Sequence, residues 1–203
     1  EGCPSSSIVT LNFNETPKNK SNVELVWMDG GLRPSHPQLI PPDDFLGEEY
    51  SRNGVLMIGE KGVISCGTYA TNPKLYRKGE KTITFNTDSI GEEVPFLDFI
   101  HHEKWIKACK KGYNSNEHKN LSASFDYAGP FTEAVLMGNL AIRSYMLIGT
   151  KNPKYSENTV HVSEHDNYIG RKKLLWDGSS MKITNFDLAN QFVGRVSRPG
   201  WKI

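Results

Sequence analysis

The sequence predicts an α+β fold, a largely antiparallel open β-sheet with helices packed on one face. Three observations carry this. β-rich runs fill the first part of the chain and come in pairs separated by turn residues. Helical patterns then follow as a block instead of alternating with strands, which argues against a parallel βαβ architecture. A second group of strands closes the chain.

In chain order, Ser6 to Phe13 (SSIVTLNF) alternates and is rich in β-formers, so it reads as a strand. Asn14 to Asn22 is a polar turn, and Val23 to Met28 (VELVWM) returns as an antiparallel partner. Asp29-Gly30-Gly31 ends it. A loop with four prolines runs from Leu32 to Asn53, and a loop this long inside a compact domain is usually functional or disordered. Gly54 to Ile58 and Gly62 to Cys66 form a tight hairpin around Gly59-Glu60-Lys61. Leu75-Tyr76 and Thr82 to Phe85 are weaker strands. Pro95 to Lys111 is a helix with His102, Trp105, Ile106 and Cys109 on one side and lysines at its C-terminal end. Gly112 to Ser122 is a polar loop.

The central element is Ser124 to Gly149. Phe131, Val135, Gly138, Ile142 and Tyr145 recur at helical spacing, and Leu136, Leu140, Ala141 and Leu147 fill most of the remaining circumference. A helix apolar nearly all round has to be covered on more than one side, so a buried helix is expected. Asp126 with Gly129-Pro130 reads as its start, and Gly149 with Pro153 as its stop. Gly138 in its middle implies close approach of another element. Beyond it, Thr159 to Ser163 and Lys173 to Trp176 read as strands. Asn185 is placed to cap a last helix carrying Leu188, Ala189, Phe192, Val193 and Val196.

The 203 residues suffice for a single domain with a sizeable core, taken as residues 1–203, and no internal repeat interrupts them. Acids and bases nearly balance at a net charge of +1, which gives no case for a nucleic-acid or membrane-surface partner. No apolar run is long enough for a membrane span. Cys3, Cys66 and Cys109 are odd in number and far apart, so neither a disulfide framework nor a CxxC metal motif follows. Cys66, after an apolar strand, reads as a core thiol. The chain begins EGCPSSS, without methionine, and is read as a fragment or processed piece.

SFDYAGPFTEAVLMGNLAIR, followed by KLLWDGSSMKITN, ANQFV and RPGW, resembles the C-terminal α/β domain of bacterial oxidoreductases of the Gfo/Idh/MocA family. Trp176, Met181, Thr184, Asn185, Ala189, Asn190, Arg198, Gly200 and Trp201 carry the resemblance, with Ser180 standing where the family's asparagine is expected. It implies a parent enzyme that uses NAD or NADP, works in the cytoplasm or periplasm, and moves a hydride to or from a sugar or polyol. It also implies a nucleotide-binding domain N-terminal to Glu1 and a homo-oligomer formed through the free face of the sheet. Some relatives use the hydride step transiently to hydrolyse glycosides, so an NAD-dependent glycosidase is a second enzyme reading. A non-catalytic carbohydrate-binding or structural module is the rival from another class.

The residues themselves assign neither catalytic group nor cofactor nor metal to this piece. No G-x-G-x-x-G joins a strand to a helix, so no cradle for a dinucleotide pyrophosphate is expected. No G-x-S-x-G is present, and the paired carboxylates Asp43-Asp44 and Glu48-Glu49 lie in a polar loop. His161-x-x-x-His165 sits in an alternating strand pattern, and His101 and His102 point about 100° apart on a helix, so neither grouping is read as a metal site. Substrate-binding residues are expected after the second strand. Trp27, Asp29, Arg33 and His36 combine an aromatic platform, an acceptor, a fixed cation and a titratable donor, and Tyr69 is grouped with them. That set suits a sugar or polyol, whose hydroxyls bond to carboxylate and guanidinium while the ring packs on the aromatic.

Overall fold

A computed structural model describes residues 3–17, 19–48, 53–85, 97–148, 168–194 and 198–201. The fold is α+β, with helices and open antiparallel sheets. The contacts divide it into two compact units, Glu1–Arg33 with Ser122–Ile203, and Pro34–Leu121.

In the first unit, β1 (Ile8–Phe13) and β2 (Val23–Met28) pair antiparallel from Ile8 opposite Met28 to Phe13 opposite Val23. Strand alternation puts Val9, Leu11 and Phe13 on one face beside Trp27, Leu25 and Val23. Residues Thr10, Asn12 and Glu24 fall on the other face, so one side is apolar and the other mixed. A long helix, Phe125–Tyr145, packs against β1. Val9 is only 7% exposed, and a Cβ at Gly138 would lie 3.8 Å from its Cγ1.

That helix differs from its expected form in three ways. It begins at Phe125, after Ser124 in extended conformation, so Pro130 falls in its second turn and Asp126 in its first, where a carboxylate suits the helix dipole. Tyr145 is its last residue. Leu147 N–H then turns back to the Ser144 carbonyl, Ile148 bridges to Tyr168, and Ile169 N–H donates to Leu147. The expected stop at Gly149 lies outside the described residues. Finally, the helix is not buried. Ser144 is its one buried residue, while Phe125 (88% exposed), Tyr127, Phe131, Val135 and Leu136 face outward. The reason is width, since two strands about 4.8 Å apart cover one stripe of a helix and not its circumference.

The first unit ends in a short hairpin, Trp176–Asp177 with Lys182–Ile183, followed by a 3₁₀ turn, Asp187–Phe192, that also packs on the long helix. Of the strand expected at Lys173 to Trp176, only Trp176 lies within this pair. The expected strand Thr159 to Ser163 is outside the described residues.

The second unit carries a four-stranded antiparallel meander: β3 (Val55–Gly59), β4 (Gly62–Cys66), β5 (Lys74–Tyr76) and β6 (Ile83–Thr84). Gly59 opposite Gly62 leaves Glu60-Lys61 as a two-residue turn. The prolines of the long loop do not leave it loose. Ile40, 2% exposed, joins Val63 and Tyr76 in the core, with Leu46 and Leu56 packed against them. Cys66 is buried, as a core thiol should be.

Two helices, α1 (Leu97–Lys111) and α2 (Asn116–Lys119), pack on each other in this unit. The Ser115 hydroxyl caps α2 by accepting from His118 N–H at 3.1 Å. The side of α1 expected to be covered is the open one: His102, Trp105, Ile106 and Cys109 are all exposed, and among the residues from His101 to Lys111 the buried one is Ala108. The apolar spacing was real but narrow, and the small alanine allows the closer contact.

Candidate functional site

The residues expected to bind substrate are divided between the units, with Trp27, Asp29 and Arg33 in the first and His36 and Tyr69 in the second. Trp27 and Asp29 are brought together. Trp27 is in β2 and Asp29 follows its last residue, so the two, spaced two apart along extended chain, share a face. The indole Nε1–H donates to Asp29 Oδ2 at 3.2 Å, and the ring is 62% exposed.

Asp29 is held from behind by Ser7, which the sequence reading overlooked. The Ser7 N–H donates to Oδ1 at 2.6 Å, and its hydroxyl lies 3.0 Å from both carboxylate oxygens. Asp29 N–H returns a bond to the Ser7 carbonyl at 3.1 Å. The signal for Ser7 was available, because extending the hairpin register one step past Ile8 and Met28 sets Ser7 opposite Asp29. The hydroxyl and amide of Ser7 hold the carboxyl below its ordinary pKa, with the Trp27 N–H adding to this.

The chain then reverses. Leu32 N–H bonds the Asp29 carbonyl at 3.2 Å, with Gly30 at φ +63 and Gly31 at φ +88 between them, the values of a type I′ turn. A Cβ on Gly30 would run into the Ser5 carbonyl, so the turn lies close against the segment that leads into β1. Arg33 follows, exposed.

In the second unit, the ring nitrogens of His36 lie 3.2 Å from the Pro37 carbonyl and 3.3 Å from that of Asp44. Both partners are loop carbonyls, which accept only from a ring nitrogen that carries a proton. Tyr69 is exposed in the Gly67–Thr71 turn, which closes through Gly67 N–H to the Thr71 carbonyl. Nearby in sequence, Tyr76 is a buried phenol donating to Asp44 Oδ2 at 2.8 Å, with Lys74 Nζ 3.5 Å from the same oxygen. Burial, reinforced by the carboxylate, pushes its pKa well up. This group ties the long loop to β5.

Several residues of the family-like pattern form one hydrogen-bonded assembly at the end of the first unit. Trp176 Nε1–H donates to Glu133 Oε1 of the long helix at 2.6 Å. The Asn185 carboxamide accepts from Leu175 N–H and donates to the Lys173 carbonyl, each at 2.8 Å. Asn190 treats Ile183 alike, accepting from its N–H at 2.8 Å and donating to its carbonyl at 3.0 Å. Each carboxamide satisfies a backbone N–H and a carbonyl, for Asn190 those of strand residue Ile183 and for Asn185 those of the segment just before Trp176. This corrects the expected role of Asn185, whose side chain does not cap; Phe186 occupies the cap position. Ala189, fully buried, leaves no room for a larger side chain. Ser180, the departure from the pattern, bonds Asp177 Oδ2 at 2.6 Å, and Ser179 bonds Oδ1. Together they hold the Asp177 carboxyl below its usual pKa, Ser179 most strongly.

Among the described residues no group of three or more His, Cys, Asp or Glu is placed to hold a metal ion, and no helix is long and apolar enough to cross a membrane. His161 and His165 lie outside them. Compared with known proteins, the chain matches no family profile and no curated protein.

Proposed function

We propose that the chain is the C-terminal substrate and oligomerisation domain of an NAD(P)-dependent oxidoreductase that acts on a sugar or polyol. The supporting observation is the assembly around Trp176, Asn185, Ala189 and Asn190. Residues that carry the family resemblance engage the short hairpin, the backbone just before it and the long helix: Trp176 bonds Glu133, Asn185 bonds the backbone at Lys173 and Leu175, and Asn190 bonds the backbone of Ile183. Polar motif residues that each have a hydrogen-bond partner in one small region are consistent with a sequence matched to this fold. The substrate wall is the Trp27–Asp29 edge with Arg33 beyond the turn. The exposed apolar residues of β1 and β2, Ile8 and Val26 among them, provide the surface on which a second copy docks.

The nicotinamide comes from a nucleotide-binding domain outside this chain, whose sequence has no glycine run for a pyrophosphate. The test is to express the parent gene product and follow nicotinamide absorbance against neutral sugars and polyols. Turnover by the parent is expected, with no saturable NADH or NADPH fluorescence change for this chain alone. Micromolar dinucleotide binding by the chain alone overturns the reading. A parent that binds sugar without nicotinamide turnover moves it to a carbohydrate-binding module. Within an active parent, Arg33→Ala is expected to lower kcat/KM about tenfold or more while thermal stability stays nearly constant, since a hydrogen bond to a charged group contributes about 1.5–3 kcal/mol.

A further inference from the structure

Resting on the sugar reading above, we propose that the Trp27–Asp29 edge is a stacking platform for the ring of a neutral pyranose, selecting against open-chain polyols and anionic sugars. The indole is exposed and tethered by one hydrogen bond. Its one polar group, Nε1–H, is engaged by Asp29, so the part left to a ligand is the apolar face. Asp29 in turn is set by Ser7 through three short contacts, and the turn that follows abuts Ser5. An aromatic surface held this way binds without first ordering its own side chain, which otherwise costs about 0.5–1.5 kcal/mol.

The hydrogen-bonding capacity of the edge decides the ligand. A carboxylate offers about four acceptor sites. Three donors occupy most of them here: the Ser7 N–H, the Ser7 hydroxyl and the Trp27 N–H. About one site stays for a hydroxyl of the ligand, and the Ser7 oxygen still accepts another. That is the demand of one or two ring hydroxyls, not of a polyol chain along its length. A pyranose also presents a flat, preformed array of C–H groups to the indole, whereas an open-chain polyol has several torsions to freeze. The charge of Asp29, maintained by Ser7 to lower pH than for a free carboxyl, repels a uronate or a sugar phosphate. One aromatic face with no surrounding cage is a weak cation site, so a quaternary ammonium is the lesser ligand.

The experiment is saturation-transfer NMR and calorimetry on the 203-residue chain with methyl β-glucopyranoside, methyl β-galactopyranoside, sorbitol, glucuronate and choline. Saturable binding is expected for at least one glycoside, with sorbitol and glucuronate at least tenfold weaker. Trp27→Ala is expected to weaken the glycoside at least tenfold. Trp27→Phe, which keeps a face but no N–H, is expected to keep binding within several-fold, which separates stacking from folding. Asp29→Asn is expected to narrow the gap between glycoside and glucuronate. Unchanged binding by Trp27→Ala, glucuronate on a par with the glycoside, tighter binding of choline, or no binding of any glycoside each overturns the proposal. A chain that binds glycoside while its parent shows no nicotinamide turnover keeps the platform and loses the oxidoreductase.

Discussion

Strands β2 and β4 read almost alike and end differently. Val23 to Met28 and Gly62 to Cys66 are both short apolar strands in antiparallel pairs. Yet Val63, Ser65 and Cys66 are buried, while Val23, Leu25, Val26 and Trp27 are all exposed. The difference lies in the cover. The proline-containing loop supplies Ile40 and Leu46 to the β3–β6 sheet from the adjoining stretch of chain. The β1–β2 hairpin meets one helix, which reaches β1. Pattern therefore reports which face of a strand is apolar, and the number of elements laid on it decides whether the face is dry.

The sharpest way to break this comparison is a pair of truncations. Ile40→Ala is expected to cost about 2–5 kcal/mol, the range for a buried aliphatic cut to a methyl group. Leu25→Ala, at an exposed position of equally apolar pattern, is expected to cost less than about 1 kcal/mol. Denaturant midpoints measure both, and equal losses would mean that the β2 face is covered after all. Next in size is Asn190→Ala, which leaves the Ile183 N–H and carbonyl without their partner. About 1–3 kcal/mol is expected, with fast amide exchange at Ile183 as the site-specific reading.

Gly138 sharpens the comparison from the helix side. A Cβ there meets Val9 at ordinary van der Waals distance, so Gly138→Ala is expected to gain about 0.5–1 kcal/mol from helix propensity alone. Gly138→Leu is expected to lose about 1–3 kcal/mol by forcing the helix away from β1. A neutral leucine variant would show that this contact is open.

Smallest are the pH effects, which separate the units by sign. The folded state depresses the Asp29 and Asp177 carboxyls, so their contribution is present above the unfolded value near 3.8 and is lost as pH falls through the lower folded value. Tyr76 is raised, so its contribution is complete below 10.0 and is lost as pH climbs above it. Hydrogen exchange is expected to show the β1–β2 hairpin loosening at the acid end and the β4–β5 pair at the alkaline end. In Asp29→Asn the acid loosening of the hairpin should be absent.

Much of the local structure was legible beforehand. The bounds of β2 and β4 match their runs because β-branched and aromatic residues stop at glycine or at Asp29. The long helix announced itself through spacing, though Pro130 was taken as its first turn and proves to be in its second. The Trp27–Asp29 pairing was half legible, since residues two apart on a strand share a face, but Ser7 lies 22 positions away and comes into view only through register. Asn185 reads as a helix cap and Asn190 only as part of the family-like pattern. Their use to satisfy backbone groups depends on which of those groups the fold leaves unpaired.

The sequence by itself determined the α+β class, the β1–β2 and β3–β4 hairpins and the long helix, because propensity and periodicity act over a few residues; the short helix Asn116–Lys119 and the Trp176–Ile183 hairpin did not come from it. Tertiary structure alone decided which strand faces are covered, what holds Asp29 and how Asn190 is used. Burial and hydrogen-bond satisfaction belong to pairs of segments far apart in the chain, and no local pattern encodes which pairs meet.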